Sequence, residues 1–302
     1  MSAIIKVSKL TKEFGEIHAV NDLAFTVEQG EVYGFLGQNG AGKSTTIRML
    51  LTLIEPTSGD IEIFGLNLKK HRKEVLKKVG AIIEKPDLYK YLTAFENLKI
   101  FAAMSGVRLR RGKIMDQLAM VGLAERADSK VKTYSQGMKQ RLGIAVALIH
   151  DPELIILDEP INGLDPQGMA DVRKLIHHLS KELGKTLFIS SHLLSEMELI
   201  ADSMLIIDKG KKIVEGKKNE LLNPSHIQVE IETLSVDRAL GEIRNSRWLR
   251  NLQKVSGEKI LLKMNRDEIP DLFRELAKMD IDLVSVRPKH SLEDYFLSLT
   301  AH

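Results

Sequence analysis

Gly37-Gln38-Asn39-Gly40-Ala41-Gly42-Lys43-Ser44, followed by Thr45, decides how this chain folds. The stretch fits G-x-x-x-x-G-K-[ST]. An apolar run, Val32-Tyr33-Gly34-Phe35-Leu36, precedes it, and a helical pattern opens at Gly42-Lys43. A strand, a glycine-rich turn and a helix N-terminus in that order make an anion cradle. Successive backbone N–H groups converge on phosphate oxygens while the helix dipole adds positive potential. Glycine lets that backbone approach without a Cβ in the way. Lys43 then reaches the β- and γ-phosphates, and Ser44 offers its hydroxyl to Mg²⁺. The stretch predicts a nucleoside-triphosphate site on an α/β scaffold.

Outward from this loop, strand and helix patterns alternate. Ala3–Val7 and Val20–Val27 read as strands, with Lys12-Glu13-Phe14-Gly15 as the turn between them. The helix after the loop runs to about Leu53 and stops before a Pro, Ser and Gly turn at residues 55–60. Ile61–Phe64 and Val79–Ile83 are short strands, with a polar helix over Lys69–Lys78. From about residue 85 to 150 the pattern becomes a helical subdomain, with Phe95, Leu98, Phe101 and Ala102 on one face and Ile114, Leu118 and Val121 on a second helix. Alternation resumes with Leu154–Leu157, a helix over Pro166–Leu183, and strands at Thr186–Ser190 and Ser203–Ile207. A hairpin loop is expected at Asp208–Lys211. Beyond a break near Asn223-Pro224-Ser225, residues 226–302 read as β-α-β-β-α-β with a final helix at Ser291–Leu299, a small α+β unit of ferredoxin-like layout.

Composition narrows the function classes. With 44 basic against 41 acidic residues the net charge is +3, too mild to argue for nucleic acid as the main partner. The chain has no cysteine, which excludes disulfides and cysteine-held metal or iron–sulfur centres and suits a reducing compartment. No run approaches about 18 apolar residues and the first residues carry no apolar core, so neither a membrane span nor a signal peptide is predicted.

Two further stretches carry chemistry. Leu154–Leu157 ends in Asp158-Glu159. Ligands of open parallel sheets lie beyond the strands' carboxyl ends, where the phosphate loop also leaves its strand. Asp158 is therefore expected to share Mg²⁺ with Ser44, and Glu159 to polarise a water in line with the γ-phosphate. Tyr134-Ser135-Gln136-Gly137-Met138 opens a helix whose buried face is Leu142, Ala145, Val146 and Ile149, with Ser135 as its N-cap. One nucleotide does not need two such helix starts. On pattern alone Ser135 reads as the cap of an ordinary helix; as an anion site it suits a nucleotide held by another copy of the chain. His177 and His178 sit inside a helix and read as structural.

The succession of Gly37–Ser44, Ser135-Gln136-Gly137, Leu154–Glu159, Asn162-Gly163-Leu164-Asp165 and Ser191-His192 resembles an ABC-transporter ATPase cassette over residues 1 to about 222. The resemblance implies a P-loop α/β fold with an antiparallel β subdomain. It also implies a head-to-tail homodimer with two ATPs, each between one copy's phosphate loop and the other's signature segment, Ser135 to Met138. It further implies that Phe14 stacks on adenine, that Asp165 communicates across the dimer and that His192 contacts the γ-phosphate. Glu84, in Ile83-Glu84-Lys85-Pro86, stands where the family usually has a glutamine that contacts Mg²⁺ or the attacking water. The carboxylate keeps an oxygen ligand but adds negative charge that Mg²⁺ or Lys85 must offset. A glutamate there is similar to exporter cassettes of peptide-antibiotic resistance and immunity. Tyr134–Met138 also departs from the usual Leu-Ser-Gly-Gly-Gln, while Ser135 and Gly137 keep the hydroxyl and the close backbone approach.

The reading is an ATP-hydrolysing subunit of an exporter, on the cytoplasmic face of the membrane and joined to a separate permease that docks on the helical subdomain. Arg108–Lys113 and Lys69–Lys73 read as a solvated loop and a solvated helix face. The closing residues 291–297 resemble the last helix of such cassettes, and the C-terminal unit is expected to be accessory. The rival is a soluble cassette ATPase acting on nucleic acid or ribosomes, whose relatives usually carry tandem cassettes, a long coiled coil or cysteine-bound metal. A non-hydrolysing scaffold conflicts with the Asp158, Glu159 and His192 set.

Overall fold

The computed structural model describes residues 2–221, 227–257, 259–279 and 281–289. The chain divides into two compact units, Met1–Lys217 and Lys218–His302.

The first unit opens with a hairpin of β1 (Ala3–Phe14) and β2 (Ile17–Glu28), followed by β3 (Val32–Leu36) and α1 (Lys43–Leu50). Both hairpin strands run further than their apolar cores suggest. The ladder absorbs register shifts between Val7 and Leu10 and between Leu10 and Lys12 rather than ending there. With β4 (Ser58–Ile63) and β5 (Leu66–Asn67) they form an antiparallel sheet in the order β2-β1-β4-β5. The polar stretch before β6 (Val79–Ile82) is helical only over α2 (Arg72–Leu76).

The helical subdomain holds α3 (Ala94–Met104), α4 (Arg111–Met120) and α5 (Gln136–Ala147). A capping box between Thr93 and Glu96 starts α3. Its buried stripe is Ala94, Asn97, Leu98 and Ala102; Phe95 and Phe101 are only half-buried, and the Arg111 guanidinium lies 4.9 Å over the Phe95 ring. The basic run at 108–113 is thus part loop and part helix start.

Next come β7 (Leu154–Asp158), α6 (Pro166–His177), β8 (Thr186–Ser191), α7 (Leu194–Ile200), β9 (Ser203–Asp208) and β10 (Lys211–Lys217). The expected long helix over Pro166–Leu183 keeps its α form only to His177 and finishes in a π turn, His178–Glu182. These strands build a six-stranded sheet in the order β10-β9-β3-β8-β7-β6. All neighbours in it are parallel except the β10–β9 hairpin at the edge. Residues of β3, β7 and β8 are buried throughout, which explains their unbroken apolar runs. The two sheets share one core. Phe25 of β2 stacks on Tyr33, Phe35 and Phe188 with ring centroids 5.8–5.9 Å apart.

The second unit begins with α8 (Lys218–Leu221) and contains β11 (Ile227–Thr233), α9 (Val236–Arg244), β12 (Leu252–Ser256), β13 (Lys259–Met264), α10 (Ile269–Leu276) and β14 (Leu283–Lys289). Its sheet is antiparallel in the order β12-β13-β11-β14. Its core centres on Trp248, Val229, Ile231, Ile260, Leu262 and Leu272. Strand β12 begins only at Leu252, because Arg247–Asn251 forms a 3₁₀ turn that buries Trp248. The final helix expected at Ser291–Leu299 lies outside the described residues. Among the described residues no helix is long and apolar enough to cross a membrane.

Candidate functional site

Because β3, β8, β7 and β6 run parallel, their carboxyl ends share one edge of the sheet. Strand β3 leaves into Gly37–Gly42, β7 ends at Asp158 before Glu159, β8 ends at Ser191 before His192, and β6 leads into Glu84. Topology alone gathers four of the candidate segments.

The phosphate loop is pressed against its neighbours at two glycines. A Cβ on Gly37 would stand 2.6 Å from the Ile207 carbonyl oxygen. Gly42, at φ 104°, would place one 2.4 Å from the Ala19 carbonyl oxygen. Neither position admits a side chain without moving backbone. The turn closes through Ala41 N–H on Gln38 O at 3.1 Å, and Gly37 N–H donates to Ser191 O at 3.3 Å. The loop and α1 bound a cavity of about 220 Å³, lined by Asn39, Gly40, Gly42, Lys43, Ser44 and Thr45 together with Ala19, Glu159 and Asn162.

Within it the charges are paired. Lys43 is 6% exposed, and its ammonium donates to Gly37 O at 2.7 Å and Gln38 O at 3.2 Å. The same nitrogen lies 3.3 Å from Glu159 Oε1, and His192 Nδ1 lies 2.8 Å from Glu159 Oε2. The Glu159 carboxylate is therefore held between a lysine and a histidine brought from different elements. Its backbone is left-handed at φ 50°, a conformation costing about 1–3 kcal/mol. Ser190 fixes it there, since Glu159 N–H donates to Ser190 Oγ at 3.0 Å and Ser190 O at 3.2 Å. The Ser190 hydroxyl in turn donates to Asp158 Oδ1, while Asp158 Oδ2 is buried without a partner on the protein. A buried carboxylate oxygen with no donor is a place for a cation.

The other candidates stand apart from this cavity. Phe14 ends β1 half exposed at 50%, with Lys12 Nζ 5.0 Å from its ring centre. Glu84 does not line the cavity; its carboxylate meets Arg48 Nη2 of α1 at 2.7 Å, so Arg48 rather than Lys85 offsets its charge. Ser135 caps α5, accepting from Met138 N–H at 3.2 Å, and Ser135 and Gln136 are exposed. Gly137 allows close approach to Gly168, whose own Cβ would stand 2.7 Å from Asp165 Oδ1. Asp165 caps α6 through Gly168 N–H at 3.1 Å. His178 pairs with Glu182 at 2.8 Å on the surface, in keeping with its structural reading. Sequence reasoning missed Ser190, Arg48 and the cavity role of Asn162. Only Asn162 carried a local signal, in the segment it shares with Asp165.

The family profile described as "ABC transporter" matches residues 20–162. A bacitracin transport ATP-binding protein of Bacillus licheniformis is 44% identical over 300 residues, 99% of this chain and 98% of that protein. A lantibiotic transport ATP-binding protein of Streptococcus pyogenes is 43% identical over 226 residues, covering 73% of this chain and 96% of that protein. Among solved structures, CbiO1 from Clostridium perfringens, part of an ABC transporter complex, superposes with a TM-score of 0.67 at 26% identity over 83% of this chain and 97% of that one. A dimeric, post-hydrolysis ATP-binding cassette bound to ADP and Pi gives a TM-score of 0.64 at 26% identity, covering 71% of this chain and 98% of that one.

Proposed function

The chain belongs to the ATP-binding subunits of ABC transporters and is an ATP-hydrolysing cassette; from that premise we propose that it powers a membrane exporter as one half of a head-to-tail pair. The observation that carries the pairing is the separation of the two anion-binding helix starts. Lys43, Ser44 and Glu159 line one cavity, whereas Ser135 is exposed at the head of α5 and does not line it. A second copy supplies Ser135 and Gly137 to this cavity, and ATP is enclosed between the copies.

Mg²⁺ fits the residues present. Among the described residues no cluster of three or more His, Cys, Asp and Glu side chains could hold a metal ion, and on this reading phosphate oxygens would complete the ligand set. Asp158, through its unpartnered Oδ2, and Ser44 would hold the ion, which neutralises phosphate charge when bound. Lys43 and the backbone of Gly37–Gly42 bind the phosphates. Glu159 takes the proton of the attacking water, oriented by His192 and the Ser190 contacts on its backbone. Phe14 stacks on the base and Asp165 contacts the partner copy.

Nucleotide-driven closure drives a separate permease, so the subunit lies at the cytoplasmic membrane face. The names of the relatives support a peptide antibiotic as the cargo class, and nothing among them favours the nucleic-acid or ribosome reading. The second unit, Lys218–His302, is accessory. Purifying the native complex tests the proposal. A multi-span permease bound to the subunit is the expected result, and a ribosomal or nucleic-acid partner in its place overturns the exporter reading.

A further inference from the structure

The two glutamates that leave the parallel sheet are each held by a cation of the same helix. Strands β6 and β7 are parallel neighbours whose pairing ends at Ile82 opposite Leu157, two residues before each glutamate. Both glutamates turn out of the sheet with left-handed backbone, φ 58° at Glu84 and 50° at Glu159. Helix α1 meets both, with Lys43 Nζ 3.3 Å from Glu159 and Arg48 Nη2 2.7 Å from Glu84.

Arg48 follows Ser44 by one helical turn, so the two share a face of α1. Helical side chains lean toward the N-terminus, which brings the guanidinium toward the turn that carries Ser44. Glu84 does not line the cavity, but the cation that balances its charge, Arg48, stands one turn of α1 from Ser44, which does. A carboxylate needs such a cation near phosphate, and a nucleotide carrying Mg²⁺ brings a second one of higher charge density to the same helix face. At the far end of its segment, the Tyr89 backbone is fixed to Asn97 of α3 by hydrogen bonds of 2.9 and 3.1 Å. The segment is thus tied down at Tyr89, while Arg48 holds its near end at Glu84.

We propose that Arg48 is a positioning residue that competes with nucleotide-bound Mg²⁺ for the Glu84 carboxylate. The inference rests on the reading of Ser44 and Asp158 as the Mg²⁺ ligands given above.

The test is an Mg²⁺ titration of fluorescent-ATP binding to the full chain carrying Glu159→Gln, read as the Mg²⁺ midpoint. Arg48→Met releases Glu84 and is expected to lower that midpoint about two- to fivefold, the size of an exposed ion pair. In a Glu84→Gln background the same substitution gives no such lowering. Loss of a cation near the triphosphate acts equally in both backgrounds, so the difference between them is the quantity that counts. Arg48→Lys keeps a cation and stays near the parent midpoint. Thermal melting of the nucleotide-free chain reports folding, and Arg48→Gln across the same two backgrounds gives the same contrast should Arg48→Met unfold. Equal shifts in the two backgrounds, or none in either, overturn the competition while leaving the ATPase reading intact. A parent chain that binds no ATP analogue at any Mg²⁺ concentration overturns both.

Discussion

Glu159→Gln is the substitution whose outcome the site geometry defines most fully. The carboxylate has two side-chain contacts, Lys43 at 3.3 Å and His192 at 2.8 Å, and it is the base assigned to the attacking water. Glutamine keeps the volume and one oxygen acceptor but cannot take a proton. A positioned general base supplies about 10²–10⁴-fold, so turnover should fall by that factor, about 2.7–5.5 kcal/mol in the barrier. Binding responds in the opposite direction. Removing the negative charge beside Lys43 frees the buried ammonium for phosphate, so ATP affinity should stay level or tighten. Phosphate release measures the first quantity, and equilibrium binding of a fluorescent ATP analogue measures the second. Light scattering with MgATP should then show an accumulated dimer. Turnover within about tenfold of the parent would remove Glu159 from its role. A loss of affinity in proportion to the loss of turnover would show that its main function is to hold Lys43.

Glu84→Gln restores the residue usual in the family and should keep turnover within about tenfold; a loss beyond about 100-fold, about 2.7 kcal/mol, would make the carboxylate indispensable. Ser190→Ala removes the donor to Asp158 Oδ1 and one acceptor of Glu159 N–H. Urea unfolding should therefore show a loss of about 1–3 kcal/mol with lowered turnover, and unchanged stability would refute the support assigned to Ser190. Glu31 is pushed above the usual carboxylate range by burial, with repulsion from Asp202 and Glu28 adding to it against hydrogen bonds from Ser203 and the Glu28 N–H. The folded chain therefore holds a proton there that the unfolded chain releases first. This contribution to stability is full below the ordinary carboxylate value and is lost as pH rises through the raised one. Glu31→Gln should flatten the stability profile over that window and gain on the parent at neutral pH, and identical pH slopes in urea unfolding would contradict this.

The parts legible in the sequence are those whose chemistry is local. Gly37–Ser44 announces its strand, turn and helix within a few residues, and Asp158-Glu159 follows an apolar run of the kind a buried parallel strand carries. The second unit's strand and helix order was readable from hydropathy alone. Partners brought by pairing across the sheet were not legible. Ser190 supports Asp158 and Glu159 only because β8 lies beside β7, and no pattern near Ser190 reports that register. Arg48 carries no signal in its neighbourhood on α1, and its contact with Glu84 depends on where β6 ends. Short elements without a strong period, such as α7, were not legible either, nor was the 3₁₀ turn that buries Trp248.

The central claim is that a working ATP site takes its phosphate loop from one copy and Ser135 from another. It is tested most directly by mixing two inactive full-length variants, Lys43→Met and Ser135→Arg, and measuring ATP hydrolysis. In a mixed pair, the intact phosphate loop of the Ser135→Arg copy faces the intact signature segment of the Lys43→Met copy. One complete site is restored, and activity should rise toward a quarter of the parent rate, because about half the pairs at equal mixing are heterodimers with one of two sites intact. A mixture no more active than its separate components would contradict the composite site and leave Gly37–Ser44 to act within a single chain.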